Sequence, residues 1–171
     1  MANRVIVVNG WSNAGKTSFC LWLEKLHGFV HVNADKNGID KHGLRAVWDK
    51  AGAGDASELK AVLEQRSRAT VFDWPYPPPG GFPFVQALQR AAVPVWWLDA
   101  EPAAAHRSFL ERAEGNVDDF TRLAAAIQKH ESDVKALYGD RLLQTLTSDG
   151  LWLCRLPTSE IWKQICAKEG W

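Results

Sequence analysis

One segment constrains this chain more than any other: Gly10-Trp11-Ser12-Asn13-Ala14-Gly15-Lys16-Thr17. It fits G-x-x-x-x-G-K-[ST] at every fixed position, between the β-branched run Val5-Ile6-Val7-Val8 and a stretch of helical periodicity. Its glycines let backbone amides converge on one anion where side chains would crowd the bend. The helix that begins inside the loop aims its free N–H groups and positive end at the same place. The segment therefore reads as a phosphate cradle, with Gly10, Asn13, Ala14, Gly15, Lys16, Thr17 and Ser18 as its contacts. Lys16 is placed to reach the β- and γ-phosphates of ATP, and the Thr17 hydroxyl to ligate Mg²⁺.

The rest alternates short apolar runs with helical stretches, the pattern of a parallel sheet with helices on both faces. Strands are expected at residues 5–8, 29–32, 69–73, 93–98 and 151–155, the last introduced by the Asp149-Gly150 turn. Helices are expected over 16–27, 40–50, 57–66 and 84–91, from Pro102 onward, from Asp118 or Asp119 to about Tyr138, and over 158–167. In the first, Phe19, Leu23 and Leu26 share one face and Gly28 stops the helix. Ser57, Thr158 and one of Asp118 and Asp119 are read as caps. The prolines crowded into residues 74–83 exclude regular structure there.

Asp73 ends the third strand, at the sheet edge where ligands of open α/β folds bind, so it can hold a Mg²⁺-bound water beside Thr17 or simply form a turn. Asp35 lies just past the second strand on the same edge. It suits a base that takes the proton of an acceptor hydroxyl, and equally an Asx-turn within 33–38. Arg107 and Arg112 follow the fourth strand, where a lid can bring cations onto a transferring phosphoryl group. Arg107 also stands four residues before Glu111, the spacing of an exposed helix pair. Asp99 reads as a helix cap, and His106 and His130 as surface helix residues.

Composition narrows the partners. Lys+Arg and Asp+Glu balance at 20 each, without the basic excess of a general nucleic-acid binder, and 46% apolar residues supply a core. No apolar run is long enough to span a bilayer, and the first strand begins too early for a signal peptide, so a cytoplasmic protein is expected. Cys20, Cys154 and Cys166 lack metal-ligand spacing and read as reduced, mostly buried thiols. Trp22, Trp48 and Trp162 fall in amphipathic stretches as core or groove lining. The 171 residues read as one domain, and the oligomeric state is left open.

Together these features resemble the small P-loop kinases of the nucleoside-monophosphate-kinase superfamily. Val71-Phe72-Asp73-Trp74-Pro75-Tyr76 looks like that group's third strand and following loop. Arg107 to Asp119, a long helix and Tyr138 look like its lid and post-lid helix, and Asp149-Gly150 with residues 151–167 looks like its ending. The resemblance implies an α/β, three-layer P-loop NTPase fold with a five-stranded parallel sheet in order 2-3-1-4-5. It also implies an acceptor-binding segment at about 36–66 and a short helical lid at about 107–122. The chain departs from the pattern where those kinases grip an acceptor phosphate. No arginine follows Asp73 through Gly81, and Asn116-Val117 stands where an arginine would precede Asp118-Asp119. The opening, Arg4 to Gly10 with Ser12 and Ala14-Gly15-Lys16, is more similar to chloramphenicol phosphotransferase and related small-molecule kinases. Those carry an aspartate base after the second strand, where Asp35 falls.

The expected activity is phosphoryl transfer from ATP-Mg²⁺ to a hydroxyl of a small molecule, with Lys16, Asp35, Arg112 and Arg107 as catalytic residues and Thr17 and Asp73 at the metal. A nucleotide kinase remains open, with Arg45 or Lys41 gripping the acceptor phosphate. So does a non-catalytic ATP-binding protein. A GTP-binding switch needs Asp-x-x-Gly and Asn-Lys-x-Asp, and Asp73-Trp74-Pro75-Tyr76 and Leu98-Asp99-Ala100-Glu101 supply neither.

Overall fold

The computed structural model describes residues 4–34, 37–74, 77–113 and 115–171. Strand β1, Val5–Gly10, is buried along its whole length, as its β-branched run requires. The loop leads into helix α1, Lys16–His27, which closes at Gly28, whose N–H bonds the Leu23 carbonyl. Phe19, Cys20 and Leu23 are the fully buried face of α1, whereas Leu26 is 61% exposed. Leu26 was expected on that face, but it lies in the last turn, beyond the cover of the sheet.

Strand β2, Val30–Asn33, is followed by three short helices, α2 Gly38–Lys41, α3 Arg45–Gly52 and α4 Ser57–Glu64. One helix was expected over 40–50; the chain instead turns through Gly43 at positive φ and splits it. Ser57 does not cap α4. Asp55 does the equivalent work, its Oδ1 accepting from the Ser57 N–H at 3.0 Å and hydroxyl at 2.6 Å. Strand β3, Thr70–Asp73, helix α5, Phe82–Arg90, and strand β4, Val95–Ala100, complete the centre. Trp48 of α3 stacks on Phe72 of β3 at 5.1 Å and meets Phe84 of α5 edge-on at 4.7 Å, so these aromatics seal one face of the sheet.

Helix α6, Pro102–Arg112, then α7, Val117–Lys129, and α8, Glu131–Tyr138, precede β5, Leu142–Ser148, β6, Leu153–Arg155, and α9, Thr158–Glu169. The single long helix expected after Asp118 is broken at His130, which ends α7 and starts α8 with φ −111 and ψ 24. Its cap is Asn116, whose Oδ1 accepts from the N–H groups of Asp118 and Asp119. Pro157, not Thr158, occupies the cap position of α9.

The sheet order is β2-β3-β1-β4-β5-β6. Strands β1 to β5 run parallel, in the expected order 2-3-1-4-5, while β6 returns antiparallel on β5. The sheet thus has six strands instead of five, and the segment taken as the fifth is its sixth. The true fifth, Leu142-Leu143-Gln144-Thr145-Leu146-Thr147-Ser148, mixes apolar and polar residues without a period of two and is only partly covered, so its strand signal is weak. Among the described residues, no helix is long and apolar enough to cross a membrane.

Candidate active site

Parallel strands deliver their carboxyl ends to one edge, and β1, β3 and β4 bring the phosphate loop, Asp73 and Asp99 there. Gly10 leaves β1 at φ 134, and a Cβ on it would stand 2.1 Å from the Leu98 carbonyl oxygen. Only glycine permits both that φ and that approach. Asn9 steadies the departure from both ends of its amide. Its Oδ1 accepts from the Gly10 N–H at 2.8 Å, and its Nδ2 donates to the Tyr138 hydroxyl at 3.1 Å. Burial pushes the Tyr138 phenol well up, so it stays protonated. Gly15, at φ 93, is the residue before the first turn of α1, where a side chain would be strained.

Lys16 is 8% exposed, and its Nζ donates to the carbonyls of Trp11 at 2.8 Å and Gly10 at 3.2 Å. The ammonium therefore sits within the loop it is to serve. Thr17 Oγ1 donates to Asp73 Oδ2 at 2.5 Å, and Asp73 is 4% exposed. A hydroxyl whose proton is held by a carboxylate keeps its lone pairs for a cation. Two hard oxygen donors beside a phosphate loop are a donor set for Mg²⁺, which commonly takes one or two protein oxygens and completes its octahedron with water and phosphate. Cys20, one turn along α1, feels the same centre. Burial raises its thiol pKa well above the usual range, the Asp73 charge adds to the rise, and Lys16 opposes it.

A cavity of about 480 Å³ opens at the loop, lined by residues 13–18 with Ser108, Arg112, Thr145 and Arg155. Asn13, Ala14, Gly15, Lys16, Thr17 and Ser18 are thus brought together as the sequence proposed, while Gly10 lies beneath them at the end of β1. Arg112 reaches Asn13 Oδ1 at 3.4 Å. Arg107 is not on the cavity wall. The two arginines stand five residues apart on an unbroken α6, and Arg107 pairs at 2.9 Å with Glu111, which itself lines the cavity. Asp35 lies outside the described residues. Its neighbour Ala34 donates its N–H to the Asp73 carbonyl at 3.0 Å, and Asn33 is in register with Asp73, so the chain passes Asp73 just before it. Asp99 does not cap α6. It accepts from the Trp97 indole at 3.0 Å, and Glu101 takes the cap position.

Three residues on this site carried no sequence signal. Arg155 of β6 donates to the Asn13 carbonyl at 2.8 Å and to the Ser108 hydroxyl at 2.5 Å, joining the loop to α6. The Thr145 hydroxyl of β5 donates to the Ala14 carbonyl at 2.8 Å. His31 of β2 points Nε2 toward Asp73 Oδ2 at 4.0 Å, and that nitrogen is buried without a hydrogen-bond partner among the described residues. Only sheet pairing makes them neighbours of the loop.

Fold and loop together define a P-loop kinase fold. No protein-family model matches the chain, and no curated protein matches its sequence. Solved structures do match its backbone. A sugar kinase from Janibacter sp. HTCC2649 aligns with a TM-score of 0.51 at 17% identity, over 96% of this chain and 93% of that one. A gluconokinase from Sinorhizobium meliloti 1021 aligns with a TM-score of 0.51 at 14% identity, over 96% and 90%. At these identities the likeness is one of fold.

Proposed function

We propose that this protein is an ATP-dependent phosphotransferase that moves the γ-phosphate of ATP-Mg²⁺ to a hydroxyl of a small molecule. The observation that carries the reading is that Lys16 and Thr17 line the loop cavity while the Thr17 hydroxyl is hydrogen-bonded to the buried Asp73 carboxylate behind it. ATP-Mg²⁺ supplies the phosphoryl group and the charge that neutralises it. The chain's own groups do the positioning: the first turn of α1 and the Lys16 ammonium hold phosphate oxygens, and Thr17 and Asp73 hold the metal. Arg112 closes on the γ-phosphate from α6. Arg107, held by Glu111 and not itself on the cavity wall, is a weaker candidate than Arg112. Asp35, immediately past β2, is the proposed base that orients the acceptor and takes its proton.

A hydroxyl acceptor is favoured over a phosphate by the state of Arg45. A nucleotide kinase would use it to grip the acceptor, but its guanidinium is bound through Nε and Nη2 to both oxygens of Asp40, at 2.9 and 2.8 Å, with Asp49 at 3.5 Å. A cation already facing two carboxylates adds little attraction for an incoming phosphate. The two neighbours named sugar kinase and gluconokinase agree with that class. The test is a screen with γ-labelled ATP across sugars, polyols, nucleosides, antibiotics and nucleotides. Label on a hydroxyl compound, dependent on Mg²⁺, is the expected result. Label only on a nucleoside monophosphate would move the assignment to a nucleotide kinase, and nucleotide binding without any transfer would make the protein a binder.

A further inference from the structure

A second cavity, of about 510 Å³, shares no lining residue with the nucleotide cavity. It lies over the carboxyl end of β4 and along β5, and is closed on the far side by α7 and α8. Its apolar wall is Trp11, Pro102, Ile127, Val134 and Leu142. Its charges are uneven, because Asp99, Glu101 and Glu131 line it against a single ammonium, Lys135. Lys135 donates a hydrogen bond to Glu131 and also feels the charge of Asp99. Asp99 and Glu101 have no ion-pair partner among the described residues. Each spends one oxygen on a neutral donor, Asp99 Oδ1 on the Trp97 indole at 3.0 Å and Glu101 Oε2 on the Ser148 N–H at 2.9 Å. Three carboxylates against one ammonium leave the recess net negative, and its apolar wall focuses that potential inside it. Such a recess attracts a cation and repels an anion. The apolar wall excludes a bare, strongly hydrated ion in favour of one that carries hydrophobic surface.

We propose that this cavity is a binding site for a small organic ammonium compound with an aromatic or branched apolar body, its ammonium at Asp99 and Glu101 and its body against Trp11 and Ile127. The nucleotide cavity takes the opposite chemistry, since Lys16, Arg112 and Arg155 line it against one carboxylate, Glu111. The two sites therefore sort their ligands by charge. They meet through Trp11, whose carbonyl holds the Lys16 ammonium, and through Thr145, whose hydroxyl lies within reach of the Ala14 and Asp99 carbonyls.

The experiment is a calorimetric titration of the full chain with tryptamine, and in parallel with indole-3-propionate, which carries the same ring with the opposite charge. Saturable tryptamine binding with a Kd below about 1 mM is expected, with indole-3-propionate at least about tenfold weaker. The double substitution Asp99→Asn, Glu101→Gln retains an oxygen for Trp97 and for Ser148, and it should weaken tryptamine at least about tenfold at an unchanged melting temperature. Should that double variant unfold, the comparison of the two indoles on the parent chain decides, together with Glu131→Lys at a surface position. Glu131→Lys should weaken tryptamine and leave indole-3-propionate no weaker. Absence of saturable binding, equal affinity for the two indoles, unchanged affinity in the folded variants, or displacement of tryptamine by ATP would each overturn the site.

Discussion

Lys16 is the residue at which binding and folding should separate most cleanly. Its charge is satisfied by two loop carbonyls, and its side chain adds little to the core packed beneath it by Phe19 and Leu23. Lys16→Ala should therefore keep the far-ultraviolet circular dichroism and the melting transition of the parent while removing most ATP binding. A parallel loss of stability and binding would mark the lysine as structural. Asp73→Asn keeps an oxygen for the Thr17 hydroxyl but loses the charge. The apparent affinity for Mg²⁺ in the presence of nucleotide should fall about 10- to 100-fold, with Mg²⁺-free nucleotide binding little changed. An unchanged Mg²⁺ dependence would leave Asp73 as a turn residue. Asp35→Asn should lower kcat about 10²- to 10⁴-fold without weakening ATP, the range for loss of a positioned base. Acceptor turnover at the parent rate would remove Asp35 from the chemistry.

At the scale of elements, the hairpin of β5 and β6 does more for the site than its edge position suggests. Thr145 braces the back of the phosphate loop through Ala14, and Arg155 ties Asn13 to α6 through Ser108. The same hairpin holds the start of α6, because Glu101 accepts from the Ser148 N–H. Arg155→Ala should raise the KM for ATP about tenfold, equivalent to about 1.4 kcal/mol, and lower kcat less than KM rises. Arg155→Lys should recover little, since one ammonium cannot bridge Asn13 and Ser108 as a guanidinium fork does. An unchanged KM in Arg155→Ala would mean that the hairpin merely covers the cavity. At the other end of the sheet, Glu169 of α9 accepts from Arg141 at 2.7 Å and from the Trp96 indole at 3.0 Å, which pins the last helix to β4.

For the whole molecule, the three thiols report how tightly the sheet and its helices close. All three are free, with Cys20 buried, Cys166 partly covered and Cys154 exposed on β6. The reading of mostly buried thiols thus holds for Cys20 and fails for Cys154, which lies on an edge strand. Burial raises the thiol pKa of Cys20 and of Cys166, so less of each is the reactive thiolate at neutral pH. Timed alkylation followed by peptide mapping should label Cys154 first and Cys166 more slowly. Cys20 should react only when denaturant opens the fold. Labelling of native Cys20 at the rate of Cys154 would show that the layer between α1 and the sheet opens readily.

The phosphate loop and the first four strands were legible because each rests on local chemistry, while the order of the parallel strands came from the resemblance to small P-loop kinases. A motif with fixed glycines, lysine and threonine admits few backbone paths, and a buried parallel strand must be a continuous apolar run. The ends of helices were less legible. Asn116 takes the cap expected of Asp118 or Asp119, Asp55 does the work expected of Ser57, and α7 and α8 part at His130, because capping depends on which φ and ψ the chain adopts one residue to either side. The sixth strand was misread as the fifth because β5 is half polar and its strand character comes from pairing with β4, not from its own pattern. The sequence by itself determined a phosphate-binding turn between a buried strand and a helix, with a carboxylate at the end of a neighbouring strand. The tertiary structure alone decided that Arg112 and not Arg107 reaches the loop, that Arg45 is held by Asp40, and that Arg155, Thr145 and His31 surround the site. Apart from the Asp40–Arg45 pair, which the turn at Gly43 brings together, those are contacts between residues far apart in the chain, set by how strands stack side by side, and no local pattern encodes them.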